Sequence, residues 1–124
     1  MARILVVDDD ESIRWMITEF LQRQGHECTP AENVAEAFRH LHKKSFELAI
    51  SDFNMPSQTG LDLLRYVSSN SPSTSFILIS AEIDACLRQK ALKLGAVACM
   101  VKPFKLQELL LEVEDALQVR SSVH

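Results

Sequence analysis

Ile4-Leu5-Val6-Val7-Asp8-Asp9-Asp10 is the stretch on which the reading of this chain turns. Four apolar residues, three of them β-branched, stop abruptly at three acids. An apolar run this short, with no polar residue alternating through it, is the mark of a strand buried on both faces of a parallel sheet. The segment that follows, Glu11 to Gln24, changes period. Its apolar residues fall at Ile13, Met16, Ile17, Phe20 and Leu21, one stripe of an α-helix, and Gly25 supplies the stop. Trp15 lies off that stripe.

The same alternation continues outward. Glu27 to Ala31 reads as a weak strand, Val34 to Leu41 as a helix, and Phe46 to Ser51 as a strong buried strand ending at Asp52. Leu61 to Val67 is a helix, Ser75 to Ser80 a buried strand, and Ile83 to Leu94 a helix closed by Gly95. Val97 to Val101 is the fifth strand, and Leu106 to Leu117 the last helix, with its stripe at Leu106, Leu109, Leu110, Val113, Ala116 and Leu117. Five strands alternating with five helices specify an α/β fold: a doubly wound five-stranded parallel sheet, flavodoxin-like, with strand order 2-1-3-4-5. Residues 1–118 form one domain on this reading. Periodicity is lost over 119–124, which reads as a tail or the start of a linker.

Composition narrows the function classes. The 124 residues are one domain's length, and 47% hydrophobic with 24% charged residues excludes collagen-like, disordered and low-complexity chains. A net charge of -4 offers no basic field for a phosphate backbone, so this domain alone is not expected to bind nucleic acid. Cys28, Cys86 and Cys99 match neither a metal-ligand pair nor a disulfide framework and read as buried reduced thiols. The apolar runs are far too short for a membrane span, the opening Met-Ala-Arg does not read as a leader, and a cytoplasmic location is expected. His26, His40, His42 and His124 form no ligand constellation and read as surface residues.

In an open parallel sheet, ligands bind beyond the carboxyl ends of the strands. Strand one ends in Asp8-Asp9-Asp10, strand three in Asp52 with Asn54 two residues on, strand four in Ser80 and strand five in Lys102-Pro103. Strand two, an edge in the predicted order, ends in nothing reactive, so all these groups converge on one pocket. Asp8, Asp9 and Asp52 with Lys102 leave two uncompensated negative charges, costly to hold together without a cation. All-oxygen ligation suits magnesium, or manganese, rather than zinc.

The strings ILVVDDDE, SDFNMPSQTGLDLL, ILISAE and VKPF, in this order and spacing, resemble the receiver domain of two-component response regulators over residues 2–118. The resemblance implies that Asp52 is the phosphoacceptor. It makes Asp9, Asp52 and the backbone carbonyl of Asn54 direct ligands of magnesium, with Asp8 holding the metal through water. Lys102 is similar to the lysine that pairs with the acids and then with the phosphoryl group, Ser80 to the hydroxyl that bonds a phosphoryl oxygen, and the Lys102-Pro103 peptide is expected to be cis. Asn54 and Glu82 would flank the water that hydrolyses the phosphoaspartate. The implied partners are a sensor histidine kinase or a histidine phosphotransfer protein, and an output domain or target protein, with a phosphorylation-dependent homodimer also within the family's range. The output face would lie roughly within Ile83 to Leu117.

The chain departs from the family three residues before the lysine, where many receivers carry Tyr or Phe and this chain has Cys99. Serine stands at position 80 in place of the commoner threonine. A flavin carrier shares the predicted topology but needs amide donors after strand one, where three acids would repel phosphate. An aspartate-nucleophile phosphohydrolase needs a second carboxylate two residues after the nucleophile, where Asn54 stands. The expected function is therefore a phosphorylation-dependent signalling switch rather than an enzyme. The alternative is a receiver-like interaction module that works without phosphorylation. Trp15, off its helix's stripe, is either a docking residue on an exposed helix face or partly buried beneath a loop.

Overall fold

β1 (Arg3–Val7) is an interior strand, and four of its five residues are buried. In this computed structural model, which describes residues 1–121, β1 pairs in parallel with β2 (Glu27–Ala31) on one side and β3 (Leu48–Asp52) on the other. β4 (Ser75–Ser80) and β5 (Ala98–Val101) complete a five-stranded sheet of order β2-β1-β3-β4-β5. That is the expected topology. β2 carries Pro30, which has no N–H to donate to a ladder, and the strand accordingly lies at an edge.

The five helices divide between the two faces. α1 (Glu11–Arg23) and α5 (Leu106–Ser121) cover one face, where Ile17, Leu21, Leu109, Val113 and Ala116 pack on Ile4, Val6, Ile50, Ile77 and Ile79. α2 (Val34–Lys43), α3 (Gly60–Asn70) and α4 (Ala85–Lys93) cover the other, packing on Leu5, Val7, Ala49 and Leu78. Successive residues of β1 (Ile4 to Val7) and of β4 (Phe76 to Ile79) thus serve opposite layers, so these strands read as unbroken apolar runs. α4 is the least embedded helix: Ala91 is its only buried residue.

Caps explain where the helices begin. Asp10 accepts from the N–H groups of Ser12 and Ile13, and Asn33 from that of Glu36. Thr59 and Asp62 form a reciprocal capping box, which starts α3 at Gly60, one residue before the expected Leu61. Asp84 caps α4 through the Leu87 N–H, so α4 begins at Ala85 and not at Ile83. β3 also differs from expectation. It starts at Leu48 rather than Phe46, and Asp52 is its last residue rather than the first beyond it. α5 continues past Leu117 to Ser121, and the remainder of the expected 119–124 tail lies outside the described residues.

Two expectations about side chains are corrected, the burial of all three cysteines and the surface position of His26. Only Cys28 is buried; Cys99 is half-buried and Cys86 is exposed in the first turn of α4, whose sparse burial leaves that turn in solvent. Trp15 is 65% exposed, so no loop covers it. Among the histidines, His42 is exposed and its Nε2 lies 3.3 Å from the Tyr66 hydroxyl, whereas His26 is half-buried and its Nδ1 accepts from the Ala2 N–H at 3.2 Å. His124 lies outside the described residues.

His26 gives the fold a pH dependence. Burial holds its pKa below the ordinary 6.5, so the folded protein favours the neutral ring that accepts from Ala2. Its contribution to stability is complete above the unfolded value and is lost as pH falls through the lowered folded value. Urea unfolding at about pH 7.5 and about pH 5.5 should show a smaller acid loss in His26→Asn, which keeps an acceptor but does not titrate, than in the wild type.

Candidate functional site

The sheet register brings the reactive residues to one rim. Val7 pairs with Ser51, Asp52 with Ile79 and Ser80 with Val101, so the carboxyl ends of β1, β3, β4 and β5 are nearly level. Ligand atoms of Asp8, Asp9 and Asp52 lie within 4.8 Å of one another, the only such acidic group among the described residues. Asp8 and Asp52 are buried and Asp9 is exposed. Lys102 bridges the two buried acids, its Nζ 3.0 Å from Asp52 Oδ1 and 3.2 Å from Asp8 Oδ2. The Lys102-Pro103 peptide is cis, as the resemblance implies.

The two ends of this ion pair feel different surroundings. Burial raises the pKa of Asp52, and the neighbouring charges of Asp8 and Asp9 add to it, outweighing the bond from Lys102. Burial opposes the charge of Lys102 too, but one ammonium shared by two carboxylates gains more than it loses, and its pKa is also raised. The site therefore holds more negative charge than its one bridging cation can offset. Three converging oxygen donors, one open to solvent, fit a hard divalent cation such as Mg²⁺ better than a soft metal.

Each acid is fixed differently. Asp8 accepts the Asp10 N–H on Oδ1 at 2.9 Å and Lys102 on Oδ2, so both its oxygens are engaged. Asp52 is held by Lys102 and by its place in the sheet, where Phe53 N–H donates to the Ile79 carbonyl at 2.7 Å. Ser80 is turned to its own loop: its hydroxyl donates to the Glu82 carbonyl at 2.9 Å and accepts the Glu82 N–H at 3.3 Å. Asn54 and Glu82 are exposed and, with Ser80, line one cleft between the β3–α3 and β4–α4 loops. Cys99 packs against the layer beneath α4, and burial pushes its thiol pKa up.

Two residues of this neighbourhood escape sequence reasoning. Gly60 N–H donates to the Phe53 carbonyl at 2.9 Å, closing the neck of the loop after Asp52, and a Cβ at Gly60 would sit 2.5 Å from the Asp52 carbonyl oxygen. A glycine at the first position of a helix that already has a Thr cap is the only clue to this in the sequence. Arg14 Nη1 donates to the Asp8 carbonyl at 2.7 Å. Its clue is a cation early in α1, the end of the helix dipole that disfavours positive charge.

A parallel α/β sheet with clustered carboxylates, a hydroxyl and a bridging lysine at contiguous strand ends defines a class of α/β domains with an acidic, cation-ready site, and comparison with known proteins narrows it. The family model for the response regulator receiver domain matches residues 4–114. The DNA-binding transcriptional regulator NtrC of Azospirillum brasilense is 38% identical over 116 residues, covering 94% of this chain and 24% of that protein. NtrC of Escherichia coli (strain K12) is 36% identical over 114 residues, covering 92% of this chain and again 24% of the relative. This chain thus spans about a quarter of the length of those curated relatives.

Solved structures agree. A CheY-like receiver domain protein from Methanospirillum hungatei JF-1 superposes with a TM-score of 0.96 at 26% identity, covering 100% of this chain and 99% of that one. The response regulator TrrA from Thermotoga maritima, solved in complex with Mg²⁺-BeF, superposes with a TM-score of 0.84 at 33% identity, covering 94% of this chain and 100% of that one. The chain belongs to the response regulator receiver domain family of two-component systems. No helix among the described residues is long and apolar enough to cross a membrane.

Proposed function

We propose that this domain is a phosphorylation-dependent switch in which Asp52 accepts a phosphoryl group from a sensor histidine kinase or a histidine phosphotransfer protein. The observation that carries the reading is the convergence of Asp8, Asp9 and Asp52 around the Lys102 ammonium. A carboxylate is already ionised at neutral pH, so Asp52 attacks without an activating base. One of its oxygens forms the bond to phosphorus while the bond from phosphorus to the donor's imidazole nitrogen breaks, its electron pair leaving with that nitrogen.

Phosphoryl transfer spreads negative charge over the moving group and needs in-line placement and positive charge more than covalent assistance. Asp9, Asp52 and the Asn54 carbonyl, with Asp8 through water, would hold Mg²⁺, which when bound supplies positive charge to the phosphoryl oxygens. We assign magnesium rather than manganese, the metal named with the related TrrA receiver. Lys102 supplies the second positive charge. Ser80 must leave Glu82 to donate to a phosphoryl oxygen, and that exchange loosens the turn that leads into α4.

The output then lies on α4, β5 and α5, with Cys99 in place of an aromatic ring, and acts on an output domain or a target protein in the cytoplasm. Trp15 on α1 is 65% exposed, and Ile13 and Met16 of the same helix line a hollow with Lys102, Pro103 and Phe104. A phosphodonor that delivers its group to Asp52 lands on this face. The domain changes its own side chain and turns over no separate substrate, so it is read as a switch and not as an enzyme.

Incubation with a small acyl phosphate tests the reading. Intact-mass spectrometry should show one phosphoryl adduct with Mg²⁺, reduced at least about tenfold after chelation. A folded, cation-binding protein that takes up no phosphoryl group would instead support an interaction module that works unphosphorylated.

A further inference from the structure

We propose that Arg14 is a positioning residue for the divalent cation, acting through the peptide that joins Asp8 to Asp9. The inference rests on the cation reading above and extends it to a residue outside the acid cluster. Arg14 is half-buried in the first turns of α1, just beyond the Asp8-Asp9-Asp10 run, yet it makes no ion pair with Asp8, Asp9 or Asp52 among the described residues. Its Nη1 donates instead to the Asp8 backbone carbonyl at 2.7 Å. A guanidinium that served only to neutralise the site would be expected on a carboxylate, where charge-assisted bonds are strongest.

The choice of the carbonyl has a consequence for Asp9. The carboxylate of Asp8 is held on both oxygens, and Asp52 is held by Lys102 and the sheet. Asp9 is exposed, and among the described residues neither its carboxylate nor its backbone N–H forms a hydrogen bond. Its position is set by the backbone that carries it. The Asp8 carbonyl and the Asp9 N–H belong to one rigid peptide plane, so a bond to that carbonyl sets the orientation in which Asp9 leaves β1. Arg14 is thus the side chain that points Asp9 toward Asp8 and Asp52.

Positioning and simple electrostatics predict opposite signs, which makes the proposal decidable. A cation near the site repels a second cation, so if Arg14 acted by charge alone, its removal would tighten Mg²⁺ binding. If it positions Asp9, removal weakens binding, by roughly tenfold on the scale seen for residues that orient metal ligands. Mg²⁺ titration by calorimetry on the wild type, Arg14→Ala, Asp9→Asn and the double variant reads both the sign and the route. The expected result is weaker binding in Arg14→Ala and a much smaller effect of that substitution in the Asp9→Asn background, because residues acting through one another are not additive.

Equal or tighter Mg²⁺ binding by Arg14→Ala, with the wild type binding normally, overturns the positioning role and leaves the cation site standing. A wild type that binds no Mg²⁺ overturns both. An effect of Arg14→Ala undiminished in the Asp9→Asn background also overturns the proposal, since the route would not run through Asp9. Arg14→Gln, a neutral variant that keeps an N–H donor on a shorter stem, is carried in parallel against loss of folding and is expected to fall between wild type and Arg14→Ala.

Discussion

Asp52→Asn is expected to lose phosphoryl labelling altogether, at least about a hundredfold below the wild type in intact-mass measurements with a small acyl phosphate and Mg²⁺. The amide is nearly the same size and can still accept from Lys102, but it has no anionic oxygen with which to attack phosphorus. The fold should not suffer. Burial and the neighbouring acids disfavour the charged form of Asp52, so at neutral pH its ionisation costs stability that the neutral amide does not. The thermal midpoint of the cation-free variant should therefore equal or exceed that of the wild type. Residual labelling near the wild-type level in a folded Asp52→Asn protein would place the phosphoacceptor elsewhere.

Gly60→Ala is expected to cost the domain roughly 3 kcal/mol and to lower its thermal midpoint by roughly 10 °C. The added Cβ would meet the Asp52 carbonyl oxygen at 2.5 Å, Leu78 Cδ1 at 2.9 Å and Phe53 Cα at 3.0 Å. Two of those three atoms are backbone and cannot be relieved by a rotamer change. Either α3 shifts outward, opening the packing of Leu63 and Leu64 on the sheet, or the end of β3 moves, carrying Asp52 away from Lys102. A loss in both stability and labelling rate is expected, and a midpoint within about 2 °C of the wild type would show that the backbone yields easily at this neck.

Those two positions mark where sequence reading succeeds and where it stops. Asp8, Ser80 and Lys102 are legible because each directly follows an unbroken apolar run, and Asp52 because it comes one residue after such a run, and a parallel sheet brings the ends of these runs to one rim. Gly60 is not, because the need for a missing Cβ comes from the approach of α3 to a strand end eight residues earlier. Arg14 reads in sequence as one more polar residue off the apolar stripe, and only the turn after β1 places a carbonyl within its reach. Local capping shifted the starts of α3 and α4 by one or two residues, the scale at which short-range side-chain bonds outweigh hydrophobic period. Cys86 ended in solvent because α4 barely embeds in the core, which its apolar content did not announce.

The shallow seating of α4 sets how large a signal the domain requires. In the proposed switch, exchanging one hydroxyl bond as Ser80 leaves Glu82 would be worth only about 1 kcal/mol, enough to change the ratio of two states about fivefold. Spent against a helix anchored by several buried leucines, as α3 is by Leu61, Leu63 and Leu64, that energy would leave the populations almost unmoved. Against a helix whose one fully buried anchor is Ala91, helped by the half-buried Leu87, it is comparable with the resistance it meets. On the proposed reading, the domain would gain responsiveness by leaving one helix undersecured, and a substitution that buried α4 more deeply would make a sturdier protein that hears its input poorly.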